Sequence, residues 1–260
     1  MNAPRVLVTA RGHVLHIELN RADKRNAADV AMLQELALAF GELDRNPTYR
    51  VGVVSAVGEH FTGGLDLADV AGHLKADGLH YVPDGGLDPW GVQSARVSKP
   101  VIVATSGICF TLGIELILAA DIAIAAADTA FAQLEVSRAI LPFGGATLRF
   151  AARCGWGNAM RWVLTGDRFD AGEALRIGLV QEVVAPGTQV MRALEIAETI
   201  AAQAPLAVQA TLANARLALD SQEQAAQALQ PELMRLLGTH DAKRGMQAFM
   251  TRSEAKYEGD

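Results

Sequence analysis

Continuous and alternating apolar runs in the first half of the chain predict β-strands. Residues 5–20 hold two such runs around Arg11, Gly12 and His13, a pattern that is typical of a β-hairpin. Three further runs, rich in Val, Ile and Ala, predict buried strands over residues 51–57, 100–105 and 121–125. Small or glycine residues and then a helical pattern follow each of these runs, so the chain is predicted to be α/β with parallel strands.

Helical periodicity dominates elsewhere in the chain. Apolar residues recur at three- and four-residue steps over residues 29–43, which predicts a helix with one face towards a core. From about Val190 the sequence is rich in alanine and has hardly any strand pattern. We therefore expect two parts, an α/β core over residues 1–195 and a helical C-terminal region over residues 196–260.

Residues 67–96 follow neither period and are rich in glycine and proline. This composition predicts a short helix and then a long loop, and long loops inside compact domains are usually functional. The segment also carries His73, His80, Tyr81 and Trp90. The pattern leaves open which of these four side chains face inward.

Composition and charge narrow the classes of protein. The 260 residues are 50% hydrophobic, which excludes a disordered chain. The uncharged stretch at residues 100–114 ends at Glu115 and is too short for a membrane span. A net charge of −6 disfavours a nucleic-acid partner, and two cysteines do not make a disulfide framework. The N-terminus does not resemble a secretion signal, so we expect a cytoplasmic protein with no nucleic-acid or membrane partner.

Two glutamates are candidates for chemistry. Glu115 lies in residues 111–120, which are apolar on every side, so we expect its carboxylate to be buried. Such a group is either neutralised by a partner or held at a raised pKa for acid–base work, and the pattern leaves both open. Residues 131–136 alternate like a strand and put Gln133 and Glu135 on one side, where a plain surface glutamate is the alternative.

Two glycine turns are candidates for binding negative charge. They lie at residues 61–67 and 106–113, and each follows a predicted strand and opens a helix. Unpaired N–H groups and a positive dipole end are expected at each start, and two such ends aimed at one point would form an oxyanion hole. The sequence has no nucleophile elbow, phosphate loop or zinc-binding helix motif, and we expect no metal site.

Eight segments in a fixed order carry a resemblance to a known family: Leu19–Asn26, Phe61–Leu67, Lys99–Asp121, Phe131–Glu135, Leu141–Gly145, Leu164–Asp167, Ala174–Val180 and Gly245–Phe249. Over nearly its whole length the chain resembles the enoyl-CoA hydratase/isomerase, or crotonase, family. The resemblance implies a spiral of ββα turns with a helical C-terminal region that builds homotrimers or dimers of trimers. It also implies an acyl-CoA thioester substrate, with CoA as part of that substrate and no separate cofactor.

The resemblance further implies roles for individual residues. The backbone N–H groups of Leu65 and Leu112 would form the oxyanion hole. Glu115 would act as base towards a water and Glu135 would deliver a proton, so that water adds across the 2,3 double bond of a 2-enoyl-CoA in fatty acid metabolism. The segments that contact CoA match Lys24, Arg25, Gly63, Asp66, Leu67, Phe249 and Arg252.

The sequence also leaves other activities open, and two of its residues differ from the pattern of the family. An isomerase that moves a double bond needs one well-placed glutamate, another acyl-CoA-transforming member is a further alternative, and a non-catalytic acyl-CoA- or RNA-binding relative is the least favoured. Leu112 lies at a position where glycine is usual in the family. Arg138 is polar at a position where apolar residues are common in its hydratases. Arg138 is expected either to pair with Glu135 and lower its pKa or to meet a carboxylate on the substrate.

Overall fold

The computed structural model describes residues 3–260, and this part of the chain forms nine strands and ten α-helices. The strands are β1 (Val6–Arg11), β2 (Val14–Leu19), β3 (Val51–Ala56), β4 (Val101–Thr105), β5 (Ile108–Phe110), β6 (Ile122–Ala126), β7 (Ala130–Ala132), β8 (Arg168–Asp170) and β9 (Glu182–Val184). The α-helices are α1 (Val30–Arg45), α2 (Leu67–Val70), α3 (Leu112–Ala119), α4 (Ala146–Cys154), α5 (Trp156–Thr165), α6 (Ala171–Arg176), α7 (Gln189–Ala201), α8 (Pro205–Asp220), α9 (Gln222–Leu237) and α10 (His240–Thr251). Short 3₁₀ helices lie at Ala22–Lys24, Ala71–His73 and Glu135–Arg138.

Six strands form the main sheet, in the order β1-β2-β3-β4-β6-β9. The first pair is antiparallel, with Val6 opposite Leu19, which confirms the predicted hairpin. The other neighbours in this sheet are parallel, as the alternation of strand, glycine turn and helix predicts. A smaller sheet contains β5, β7 and β8, and it joins the two segments that carry Glu115 and Glu135.

Helices cover both faces of the main sheet, which is why its central strands β3, β4 and β6 are almost entirely apolar. On one face, α1 buries Leu33, Leu36 and Phe40, the stripe that its periodicity predicts. On the other face, α7 packs Ala193 and Ala197, with Ala201, against buried Val and Ile side chains of the sheet. These alanines recur every four residues, so this helix presents one narrow, small-residue face to the sheet.

Helix α7 crosses residue 195, the boundary that the sequence predicts. Because the helix packs on β3, β4 and β6, residue 195 lies inside an element of the core, and the separate helical region begins with α8. Arg50 fastens this region to the core by donating to the carbonyl oxygens of Ala201 and Tyr257 at 2.9 and 2.7 Å.

The last three helices display much apolar surface. Leu219 is 78% exposed, and Phe249 and Met250 are 82% and 70% exposed. Scattered apolar side chains are normal on a surface, but a concentration of this kind marks an interaction surface. Assembly into trimers stays a prediction of the sequence. Among the described residues, no helix combines the length and the apolar character that crossing a membrane requires.

Candidate active site

Helix α3 buries a carboxylate at its first turn. Every residue from Leu112 to Ala119 is buried, and the Glu115 side chain is inaccessible to solvent. Its Oε1 accepts a hydrogen bond of 3.1 Å from the Ala146 N–H, whereas within residues 3–260 its Oε2 has no partner. Burial raises the pKa of Glu115 to about 7, and the negative charge of Glu135 adds to the rise.

The glycine turn before α4 makes room for this carboxylate. A Cβ atom at residue 144 would lie 2.5 Å from Oε2 of Glu115, so any side chain there would force the carboxylate to move. The backbone N–H of Gly144 also acts on the carboxylate by lowering its pKa, in opposition to burial. Gly144 is therefore part of the site, although the sequence marks it only as a member of the segment Leu141–Gly145.

Glu135 begins a 3₁₀ helix rather than continuing a strand. The strand predicted over residues 131–136 is wrong in its second half, because Leu134 has helical backbone angles (φ −90°, ψ −1°) and β7 ends at Ala132. Gln133 and Glu135 nevertheless lie together, since Gln133 Nε2 donates to Glu135 Oε1 at 3.1 Å. Both side chains are buried.

Burial also raises the pKa of Glu135 and outweighs the opposing influences of Arg138 and Gln133. Arg138 does lower the pKa of Glu135, as expected of its charge, but burial has the larger effect and the net shift is upward. Among the described residues, no ion pair joins Arg138 to Glu135. Ionisation of one neighbouring carboxyl disfavours ionisation of the other, so over a range of pH one of the two can be ionised while the other keeps its proton.

Three buried oxygens at this point have no protein donor within the described chain: Oε2 of Glu115, Oε2 of Glu135 and Oε1 of Gln133. Buried polar atoms in native structures nearly always have a hydrogen-bond partner, and an orphaned group calls for an explanation. A site whose acceptors are left for a bound molecule provides that explanation.

The two glycine turns bring free backbone donors together. A parallel bridge to Ala28 uses the Gly64 carbonyl and the Asp66 N–H, at 2.8 and 2.9 Å, and leaves the Leu65 N–H unused. The Leu112 N–H lies at the start of α3, before the helix supplies acceptors. Within residues 3–260 neither N–H donates to a protein acceptor.

Gly64 allows these two turns to touch. Its φ of +99° is in the region that favours glycine, and a Cβ there would lie 2.1 Å from Thr111 Oγ1. Thr111 itself has φ 48° and ψ −108°, a strained conformation for a β-branched residue. Its N–H donates to the Ala132 carbonyl at 2.9 Å, which joins the start of α3 to the strand that leads to Glu135.

A cavity of about 330 Å³ unites most of the residues that the sequence singles out. Of the predicted site residues, its wall contains Lys24, Gly63, Leu65, Asp66, Leu67, Leu112 and Glu135. Arg138, Ile140 and Phe143 also line it. The wall therefore contains both residues with a free N–H group, two acidic residues and two cationic residues.

Four predicted residues do not line this cavity. Glu115 is fully buried and is not among the residues of the wall. Arg25 contributes its backbone, because its carbonyl accepts the Gly63 N–H at 2.8 Å, while its side chain is exposed. Phe249 and Arg252 belong to the end of α10, outside the cavity wall. The CoA contacts expected of these side chains stay predictions.

The loop after α2 supplies Trp90, which the sequence names only as one of four side chains of open orientation. Trp90 is 3% exposed, and its Nε1 donates to the Leu112 carbonyl at 3.0 Å. Buried Asp88 accepts hydrogen bonds from the Trp90 N–H at 3.0 Å and the Tyr81 hydroxyl at 2.6 Å, and so fixes the loop. The only sequence signal was the presence of aromatic residues in a segment without periodicity. Of the four side chains left open, Tyr81 and Trp90 face inward, whereas His80 is 53% exposed.

Comparisons of the sequence and of the structure with known proteins point to the same family. The sequence model of the family described as "Enoyl-CoA hydratase/isomerase" matches residues 9–260. Enoyl-CoA hydratase EchA19 of Mycobacterium tuberculosis is 30% identical, over 95% of this chain and 94% of the relative. A crystal structure of a probable enoyl-CoA hydratase/isomerase from Mycobacterium abscessus superposes with a TM-score of 0.95 at 52% identity, covering 98% of this chain and 99% of the other. An enoyl-CoA hydratase structure from Mycobacterium tuberculosis H37Rv has a TM-score of 0.90 at 35% identity, covering 99% and 100%.

Proposed function

Because the chain belongs to the enoyl-CoA hydratase/isomerase family, with its crotonase-type ββα spiral, we propose that it adds water across the 2,3 double bond of a 2-enoyl-CoA thioester. The observation that carries the proposal is a cavity lined by Glu135 and by both residues with a free backbone N–H group, with a second buried glutamate, Glu115, close enough to feel the charge of Glu135. Glu115 and Glu135 have raised pKa values, and the N–H groups of Leu65 and Leu112 line the cavity that Glu135 enters.

The two N–H groups would bind the thioester oxygen. When the oxygen lies between them, the negative charge that develops on it during attack at C3 is stabilised, and the double bond is polarised towards that attack. The Leu112 N–H adds the positive end of the α3 dipole. Loss of one donor from such a hole costs about 3 kcal/mol in the transition state.

The glutamate pair would supply the acid and the base. An ionised Glu115 takes a proton from a water molecule as the oxygen of that water bonds to C3. A protonated Glu135 gives a proton to C2. After this step the proton of the pair is on Glu115 instead of Glu135. Proton exchange with solvent then restores the ionised Glu115 and the protonated Glu135. Since the pair can hold one proton over a range that reaches about pH 7, one group can be acid and the other base at the same pH.

The CoA end of the substrate would lie near Lys24. This side chain lines the cavity next to Asp66 and Leu67, and its charge suits a phosphate. Arg25, Phe249 and Arg252 are proposed to complete the CoA site, the last two from this subunit or from a neighbour in a trimer or dimer of trimers. The exposed apolar side chains of the last helices support such an assembly. A cytoplasmic location and a part in fatty acid metabolism stay predictions of the sequence.

The experiment is an assay of the purified protein with crotonyl-CoA in water labelled with heavy oxygen. The expected product is 3-hydroxybutyryl-CoA with the label at C3, detected by mass spectrometry. Binding of both crotonyl-CoA and 2-decenoyl-CoA without any labelled product from either would overturn the proposal. Conversion of 3-enoyl-CoA to 2-enoyl-CoA without incorporation of oxygen would establish the isomerase alternative, which the family description also covers.

A further inference from the structure

A second, larger cavity adjoins the site. Its volume is about 1160 Å³, at the upper end of the pockets that hold whole drug-sized ligands. It shares Leu65, Leu67, Ile140 and Phe143 with the site cavity. Because Leu65 carries one of the proposed oxyanion donors, the larger cavity begins where the acyl group of a bound thioester begins.

The wall of this cavity is apolar. Helix α2 and the segment after it contribute Val70, Ala71, Leu74 and Leu79, and the chain after Glu135 contributes Val136 and Leu141. Val70 and Leu79 are 2% and 8% exposed, so they form the inner part of the wall.

The polar groups on the wall are already satisfied or lie in water. Asp77 and His80 pair with each other at 3.0 Å, with side chains 74% and 53% exposed. Gln93 Nε2 donates to the Leu79 carbonyl at 2.8 Å. A charged or strongly polar acyl group would therefore lose its hydration without gaining a partner from the inner wall.

Resting on the proposed function, we propose that this enzyme selects 2-enoyl-CoA thioesters with a long, uncharged aliphatic acyl chain. A thioester oxygen held at Leu65 directs the chain from the site cavity into the apolar one. A crotonyl group ends close to the reacting carbons and leaves most of the apolar wall uncovered. Each further methylene that moves from water to this wall tightens binding by up to about fourfold.

Arg138 is the one feature that favours a different acyl group. Its side chain lines the site cavity but not the apolar cavity, so it would meet a carboxylate only on a short, dicarboxylic acyl group. The long apolar wall beyond it would then have no ligand to cover it, and for that reason we favour the aliphatic chain.

The test measures Kd values of butyryl-CoA, decanoyl-CoA and glutaryl-CoA for the full-length protein by titration calorimetry. These saturated esters have no double bond to hydrate, so binding is measured apart from turnover. We expect decanoyl-CoA to bind at least about a hundredfold more tightly than butyryl-CoA. Equal affinities, or tightest binding of glutaryl-CoA, would overturn the inference.

Two alanines in the same segment give a matched pair of variants. Both are exposed, but Ala71 lies on the wall of the cavity and Ala76 lies outside it. Ala71→Trp should reduce the advantage of decanoyl-CoA to less than about tenfold, and Ala76→Trp should leave it unchanged. Leu74→Ser, at a position 60% exposed, should reduce it severalfold without filling the cavity. The same chain-length preference in all four proteins would contradict the proposed path of the acyl chain.

Failure of this inference is distinguishable from failure of the proposed function. Hydration of crotonyl-CoA without a preference for long chains removes the inference and keeps the hydratase. A strong preference in binding without hydration of crotonyl-CoA or 2-decenoyl-CoA supports the chain-selective cavity and removes the hydratase.

Discussion

The indole Nε1 of Trp90 donates a hydrogen bond of 3.0 Å to the carbonyl oxygen of Leu112, the residue whose N–H forms half of the proposed oxyanion hole. Trp90 comes from the long loop after α2, and Asp88 anchors that loop through the backbone N–H groups of Trp90, Val92 and Gln93. The start of α3 is thus fixed from outside the helix. Such support keeps a catalytic donor aligned before the substrate arrives.

Trp90→Phe should reduce kcat by about tenfold with a smaller change in KM. The substitution removes a hydrogen bond of about 1 kcal/mol and leaves the Leu112 peptide free to tilt. Steady-state kinetics with crotonyl-CoA measure both constants. Trp156→Phe is the control, because Trp156 is 72% exposed and lines neither cavity. A kcat equal to that of the unmodified protein in Trp90→Phe would show that the loop does not position the donor.

Glu115→Gln and Glu135→Gln should each reduce kcat at least about a hundredfold, because each removes a group that transfers a proton. Calorimetry should show that both variants still bind butyryl-CoA, since the thioester oxygen is held by backbone groups. Glu198→Gln, at an exposed position on α7, is the matched control. Near-normal turnover in either test variant would assign that glutamate a structural role.

The dependence of kcat/KM on pH should be bell-shaped, with its alkaline limb near pH 7. Because the charge of Glu135 contributes to the raised pKa of Glu115, the value of about 7 belongs to the pair and marks the loss of its last proton, whichever carboxyl carries it. Above it no acid remains, and at lower pH uptake of a second proton removes the base. Initial rates measured from pH 5 to 9 give the profile, and a rate that rises throughout this range contradicts a shared proton.

Glu115→Gln should stabilise the protein at alkaline pH. Because the folded-state pKa of Glu115 is raised from 4.5 to about 7, its contribution to stability is fully present below pH 4.5. It is lost as the pH rises through 7 and the carboxyl ionises in the core. The loss is at most roughly 3 kcal/mol.

Tm values from calorimetry at pH 5 and pH 8 test this linkage. The variant should exceed the unmodified protein at pH 8 by several degrees more than at pH 5. Glu198→Gln should show the same difference from the unmodified protein at both pH values. A Tm difference that does not change with pH would mean that Glu115 is neutralised by a partner in the folded state.

Gly144→Ala should reduce kcat strongly while the protein stays folded. The new Cβ would lie 2.5 Å from Glu115 Oε2, so the carboxylate has to leave its position. Gly172→Ala on α6 is the control, because its Cβ would meet only an ordinary contact of 3.4 Å with Asp170. Equal kcat values in the two variants would show that the position of the Glu115 carboxylate is not critical.

Much of the fold was predictable because it depends on local pattern. The hairpin, helix α1 and strands β3, β4 and β6 lie where periodicity placed them, within one or two residues. The prediction was wrong over residues 131–136, because a strand continues only as far as neighbouring strands pair with it, and β7 has partners only up to Ala132. The composition of the chain changes near residue 195, but helix α7, which spans that residue, packs on the core because its alanine face fits against the sheet.

Some features of the site could also be predicted from the sequence, and others could not. The burial of Glu115 followed from the sequence, since an all-apolar helix has no wet face for its carboxylate. The roles of Trp90 and Gly144 did not, because each depends on a residue distant along the chain, Leu112 in one case and Glu115 in the other. Gln133 was placed beside Glu135 by alternation, and the structure brings the two together through a turn instead.

By itself, the sequence determined the hairpin, the central strands β3, β4 and β6, helix α1, the buried carboxylate and the two glycine turns, because hydrophobic period and backbone preference act over a few residues. Only the tertiary structure decided that Gly64 touches Thr111, that burial outweighs Arg138 at Glu135, and that an apolar cavity opens beside Leu65. Each of these depends on the distance between segments far apart in the chain, and packing of the whole core sets that distance.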